Sequence, residues 1–361
     1  MTDDTNTTLR APIFGISRYR LGIDGPGITT LVIFMQCPLK CKYCINEKCH
    51  EPLAELKTGQ LPDDVRYFSP QELYNEVKID NIYFQATNGG ITFGGGEPAL
   101  YSDFITEFRE ICGADWNLNI ETSLNVDLKH IKALSPVINH FFIDIKDLNP
   151  PTYEEYTGAT IYPLILNLLY IKDAGRAKDA TIRVPHIPGY NNRESVAENI
   201  RQLNSLGFDN VNEFDYIPRP ALHAQRRSGG TSASKILGKR TCEVLSAMRK
   251  EIASVNGIEY SPDECNYKGE CAGTCPKCDS ELQGLQEQLD ENSLKGKSPN
   301  YSLISDFSMD EIMESIESSI IKAIPPLRGQ VSFPIRPSFA TRLKRAFKSI
   351  FNKDNDDEES L

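Results

Sequence analysis

CPLKCKYC, residues 37–44, places three cysteines in eight residues at the spacing C-x3-C-x2-C, and Cys49 follows five residues later. Thiolates are soft ligands that suit zinc and iron–sulfur clusters. A structural zinc ion wants four closed ligands, so Cys49 or His50 would have to supply the fourth. The other reading keeps the fourth position open, with three cysteines on a cubane [4Fe–4S] cluster and one iron left for a chelating small molecule.

The residues around the motif favour a site at the end of a strand. TTLVIFM (29–35) runs straight into it, and β-rich segments recur at GGITFGG (89–95), WNLNIETS (116–123), HFFIDIK (140–146), TIRVPH (181–186) and EFDYIP (213–218). These runs are rich in Val, Ile, Phe and Tyr and mostly continuous rather than alternating, as strands of a helix-covered parallel sheet are. Helical patterns at 69–84, 101–114, 128–138, 162–175 and 193–207 lie between them. Ser69-Pro70 reads as an N-cap with a first-turn proline, and Gly175 and Gly207 stand where helices should stop. Six β/α units predict an α/β fold, either a partial (β/α)6 TIM-like barrel or a doubly wound sheet. Both carry their chemistry at the C-terminal strand ends.

The formal charge of −11 lacks the basic footprint of a nucleic-acid binder. No run of 18 apolar residues is present, and the polar start MTDDTNTTLR has no signal-peptide character. A cytoplasmic chain is expected, in which a set of ten cysteines points to metal ligation rather than to disulfides. Eight fall into two groups: Cys37, Cys41, Cys44 and Cys49, and Cys265, Cys271, Cys275 and Cys278. Cys112 and Cys242 stand alone in helical patterns and read as small buried hydrophobes.

Residues 1–225 form the expected core. A long helix at 231–257, the second cysteine group and a polar helix at 279–292 make a metal-binding extension over 226–292. Residues 293–361 read as a linker, short helices (308–324 and a basic amphipathic 340–353) and a flexible acidic tail.

With an aromatic before its last cysteine, Cys37-x3-Cys41-Lys42-Tyr43-Cys44 resembles the signature of radical S-adenosylmethionine (SAM) enzymes. GGITFGGGEPAL (89–100) resembles that family's glycine-glycine-glutamate motif. DGPGI (24–28), CKYCIN with Asn46, IETS (120–123), DIK (144–146) and IRVPHIPGYN (182–191) resemble activating enzymes of glycyl radical proteins, the pyruvate formate-lyase activating enzymes among them. The likeness covers roughly residues 12–220.

The resemblance implies a [4Fe–4S] cluster on Cys37, Cys41 and Cys44, with SAM chelating the open iron. Reductive cleavage of SAM would yield a 5′-deoxyadenosyl radical that abstracts hydrogen, the cofactors carrying the hard chemistry. Gly94, Gly95 and Gly96 would let backbone approach the methionine end of SAM. Glu97 would hold its ammonium, Arg183 its carboxylate, and Tyr43 would pack near its adenine. Asp144 and Lys146 resemble a D-x-K loop that closes on SAM and partner, with Lys146 among the catalytic residues. Glu121 takes the place of an aspartate that shares a monovalent cation with that loop. The partners implied are a protein or peptide substrate and an electron donor such as flavodoxin or ferredoxin.

The pattern also departs from the family. MQCP and GPGITT replace the usual residues before the first cysteine and strand, and YIPRPALH displaces His223 and brings Arg219 nearer. His186 reads as a hydrogen-bonded strand-end residue. The second group, CNYKGECAGTCPKC (265–278), fits either a four-thiolate zinc knuckle or an auxiliary [4Fe–4S] cluster. Activation of a glycyl radical enzyme is the leading function. A radical SAM maturase of a peptide or other macromolecule is the alternative, and a zinc-binding adaptor on the same fold is a third.

Overall fold

The computed structural model describes residues 9–50, 65–216, 238–262, 265, 271 and 273–303. Arg219, His223, the basic segment 340–353 and most of the expected tail lie outside them.

Six strands run parallel: β2 (Ile28–Phe34), β4 (Gly90–Gly95), β5 (Asn117–Thr122), β6 (His140–Asp144), β7 (Ala180–His186) and β8 (Val211–Asp215). They follow one another in chain order, so the sheet has no switch point and is not doubly wound. β1 (Ala11–Leu21) and β3 (Arg66–Phe68) extend it antiparallel beyond β2. With β3 and β8 at the two edges, the eight strands form an open sheet, a partial barrel. β1 and β3 were not evident in the sequence. β1 mixes charged and apolar residues and carries two register shifts, which blur any alternation.

Several helices start where a side chain caps them. Ser69 and Glu72 form a reciprocal capping box around Pro70–Val77. Asp127, Asn149 and Asn192 cap Leu128–Leu134, Pro150–Thr157 and Arg193–Ser205. Gly175 and Gly207 follow Tyr162–Asp173 and Arg193–Ser205 in the left-handed conformation. The helix expected over 69–84 is broken: Pro70–Val77 passes through a 3-10 turn, Lys78–Asp80, into Asn81–Thr87. The turn carries Asp80 fully out of solvent, where Arg18 and Thr30 donate to its carboxylate.

Phe34, Phe93, Phe104 and Phe108 pack together between the sheet and its helices. A second core joins Tyr19, Ile28, Ile82 and Tyr83 to the C-terminal helices, residues 238–255 and Pro276–Leu294. The helix that looked polar buries a stripe of Leu282, Leu285 and Leu289, spaced to share one face. Arg249 clamps this lobe by donating to Tyr83, Tyr260 and Glu281 at 2.7–2.9 Å. No described helix is long and apolar enough to cross a membrane.

Candidate functional site

The parallel strands deliver their C-terminal ends to one side of the sheet, and nearly every residue singled out from the first cysteine group to Arg183 lies at these ends. The 37–44 loop leaves β2 and is held from outside: Lys40 N–H and Lys42 N–H donate to the carbonyls of Thr157 and Tyr156, at 2.7 and 3.1 Å. Asn46 Nδ2 donates to the Gly95 carbonyl at 2.9 Å, tying the cysteine loop to the glycine turn after β4. Two backbone bonds close the same junction, Gly96 N–H to Phe34 O and Glu97 N–H to Gln36 O.

That junction explains the glycines. Gly95 has φ +104°, a conformation strained for any side chain, and a Cβ there would sit 2.5 Å from Ile33. A Cβ on Gly96 would fall 2.0 Å from the Gln36 carbonyl oxygen, and one on Gly94 2.9 Å from Glu121 Oε2. The glycines therefore serve the fold's own close approaches.

Cys49 is buried and its thiol donates to the Phe34 carbonyl at 3.6 Å. Burial, with the nearby Cys44, pushes its pKa up to about 12. The thiol that would close a four-ligand zinc site is thus engaged elsewhere, while Cys37, Cys41 and Cys44 remain half-buried on the loop. Burial also raises the Cys37 and Cys41 thiols, and Lys146 opposes the rise at Cys41. Among the described residues, no three His, Cys, Asp or Glu side chains stand together as a metal-ion ligand set.

Glu97 is fully buried. Its Oε1 accepts from Ala99 N–H and Thr122 Oγ1, and its Oε2 from Ser123 N–H and Oγ, at 2.6–3.2 Å. Four donors fill the carboxylate's usual acceptor directions. Glu97 here bolts the glycine turn to the end of β5, a use that the motif alone does not reveal.

Arg183 on β7 lies between two carboxylates. Its Nε donates to Asp144 at 2.7 Å and its Nη1 to Glu121 at 2.8 Å. The guanidinium of Arg183 thus lies between Glu121 and the D-x-K aspartate. Lys146 Nζ stands 3.5 Å from the other Asp144 oxygen. Burial works against the charge of Asp144, yet Arg183 and Lys146 outweigh it and hold its pKa below the usual value. Glu121 goes the other way, raised by burial despite Arg183. Burial likewise opposes the charge of Lys146, but Asp144 and Cys41 keep it protonated.

Tyr43 packs among Tyr156, Tyr190 and Tyr216, with the Tyr216 ring stacked at 6.3 Å. The Tyr216 hydroxyl donates to the Tyr43 carbonyl. These three tyrosines were missed in the sequence, where aromatic residues far apart along the chain leave no periodic signal. His186 pairs with Asp215 at 3.0 Å, the hydrogen-bonded role expected of it.

The second group differs from its sequence reading. Cys242 is not an isolated hydrophobe, because its Sγ lies 3.7 Å from that of Cys278.

A model of the Radical SAM superfamily matches residues 31–210, which span β2 to the end of the last β/α crossover, and the chain belongs to that superfamily. Several of its relatives are activating enzymes. The (2S)-3-sulfopropanediol dehydratase activating enzyme of Klebsiella oxytoca is 28% identical, aligned over 54% of this chain and 78% of its own. The pyruvate formate-lyase 2-activating enzyme of Escherichia coli (strain K12) is 27% identical, over 57% and 80%. Among solved structures, Streptococcus suis SuiB bound to S-adenosylmethionine matches 51% of this chain and 39% of its own at TM-score 0.38 and 16% identity.

Proposed function

We propose that this radical SAM enzyme activates a glycyl radical enzyme by abstracting hydrogen from a glycine of that partner. The junction of the three-cysteine loop with the glycine turn carries this reading, in a chain whose relatives are named activating enzymes. The donor set fits a three-thiolate cluster, since Cys37, Cys41 and Cys44 share one loop while Cys49 is diverted to Phe34. Cys37, Cys41 and Cys44 would hold a [4Fe–4S] cluster there, which would supply the one-electron reduction that SAM cleavage requires.

The chain's own residues position and shield. Lys146 keeps a positive charge near Cys41 and favours its thiolate. Backbone of Gly94–Gly96 meets the methionine end, held in place by Glu97 and Asn46. Arg183 has Nη2 left to meet a carboxylate once Asp144 and Glu121 have taken Nε and Nη1. The tyrosines around Tyr43 form an apolar wall for an adenine ring. A flavodoxin or ferredoxin in an oxygen-poor cytoplasm is the reductant this chemistry asks for.

The test is anaerobic reconstitution with iron and sulfide, then incubation with SAM, reductant and each candidate glycyl radical protein. The expected result is 5′-deoxyadenosine together with a protein-based glycyl radical signal by electron paramagnetic resonance. Cleavage of SAM with transfer to a small peptide and no glycyl radical would replace activation by maturation. No cleavage by the iron-loaded protein would overturn the reading.

A further inference from the structure

The thiols beyond the barrel do not follow the boundaries of their sequence motif. Cys242 Sγ and Cys275 Sγ each stand 3.7 Å from Cys278 Sγ. A Zn–S bond of about 2.3 Å places the sulfurs of a tetrahedral site about 3.8 Å apart. Each thiolate of a cubane instead takes a separate iron, which holds the sulfurs further from one another. Two edges of a zinc tetrahedron are thus present, and both meet at Cys278.

The surroundings select the remaining ligand. Cys278 is buried, Cys242, Cys271 and Cys275 are half-buried, and Cys265 is exposed. The turn that carries Cys271 and Cys275 presses against the helix that carries Cys242. A Cβ on Gly273, which has φ +94°, would meet the Thr241 side chain at 2.7 Å. Cys275 is the N-cap of Pro276–Leu294 and Cys278 lies in its first turn, where the helix dipole favours thiolates. The same Gly273 lies beside Tyr19, and the strand next to it pairs Arg20 with Thr29 near the start of β2. The strand-end cysteines lie past the other end of β2.

We infer that Cys242, Cys271, Cys275 and Cys278 hold one structural zinc ion that staples the two C-terminal helices together, and that Cys265, although part of the motif, is not a ligand. Among the described residues no three of these side chains stand as a ligand set; the two Cys278 pairs supply three of the thiols, and Cys271 is the remaining half-buried one. This site is separate from SAM chemistry and does not depend on it.

Full-length protein is purified anaerobically with zinc present, and metal content is read with zinc-edge X-ray absorption and with thiol alkylation mapped by mass spectrometry. One zinc per chain with four sulfur neighbours is expected, Cys265 being alkylated and Cys242 protected. Against a chelator, Cys242→Ser should weaken zinc retention by more than about 100-fold, beyond what losing a supporting group costs. Cys265→Ser should retain it. Alkylation of wild-type Cys242 with Cys265 protected would overturn the ligand assignment without needing any variant to fold. Iron and sulfide, in place of zinc, retained in a Cys37→Ala/Cys41→Ala/Cys44→Ala chain would overturn the metal.

Discussion

Cys37, Cys41 and Cys44 stand on a single loop whose fourth thiol, Cys49, is turned to the Phe34 carbonyl. Cys242, by contrast, is brought from a separate helix to within 3.7 Å of Cys278. The first arrangement has a candidate fourth ligand in sequence and diverts it in space. The second gains a thiol that its sequence motif lacks. An open coordination position suits a site that must bind substrate, and a closed one suits a site that must only hold helices together. The surroundings agree. The strand-end loop is held by backbone bonds and ringed by charged and aromatic side chains, whereas the C-terminal lobe is fastened by a leucine stripe and buried ion pairs.

The largest expected effect tests the open site. Cys41→Ala should reduce SAM cleavage to the level of a protein-free control while circular dichroism shows the barrel intact. Retained cleavage would remove the distinction between the two groups. Next comes the attachment of the lobe. Asp80→Ala leaves Arg18, which also bonds Asp279 of the C-terminal helix, without its buried partner. A loss of about 3–5 kcal/mol, or about 10 °C in melting temperature, is expected by calorimetry. A drop of only a degree would mean that the lobe and barrel are not joined through this network.

Glu97→Gln sets an NH2 group against donors at Ser123 or Thr122. It should cost about 1–3 kcal/mol in denaturant unfolding, and an unchanged midpoint would sink the bolting role of Glu97. Cys49→Ala should cost about 1 kcal/mol and leave SAM cleavage within about twofold, because a single thiol-to-carbonyl bond is lost. If it abolished cleavage, Cys49 would be a ligand and the strand-end site would be closed like the other. The smallest effect is in acid. The Asp144 pKa is depressed on folding, so its contribution is full above the ordinary aspartate value of 3.8 and fades as pH falls through the lower folded value. Asp144→Asn should flatten acid unfolding between those two values, and an unaltered acid limb would show that the Arg183 and Lys146 pairs add nothing.

Much of this was legible one residue type at a time. Apolar runs marked the six parallel strands to within about three residues, and the first five of them are largely buried, as strands covered on both faces are. The C-x3-C-x2-C spacing and the glycine run marked the site because metal ligation and close backbone approach restrict residue choice locally. β1 escaped notice because its bulges break the alternation, and the 3-10 turn at Lys78–Asp80 escaped because its reason, Arg18, lies 62 residues away. The tyrosines about Tyr43 and the bond from Asn46 to Gly95 likewise join segments with no common local pattern.

The sequence by itself determined the class of fold, the end of the sheet that bears the chemistry and the three thiols on its loop, since each follows from short-range spacing. Only the tertiary structure decided that Cys49 is withdrawn, that Glu97 is saturated, that Arg183 sits between Glu121 and Asp144, and that Cys242 joins the distant cysteines. Each of those depends on which groups compete for the same partner in space, and that competition has no signature along the chain.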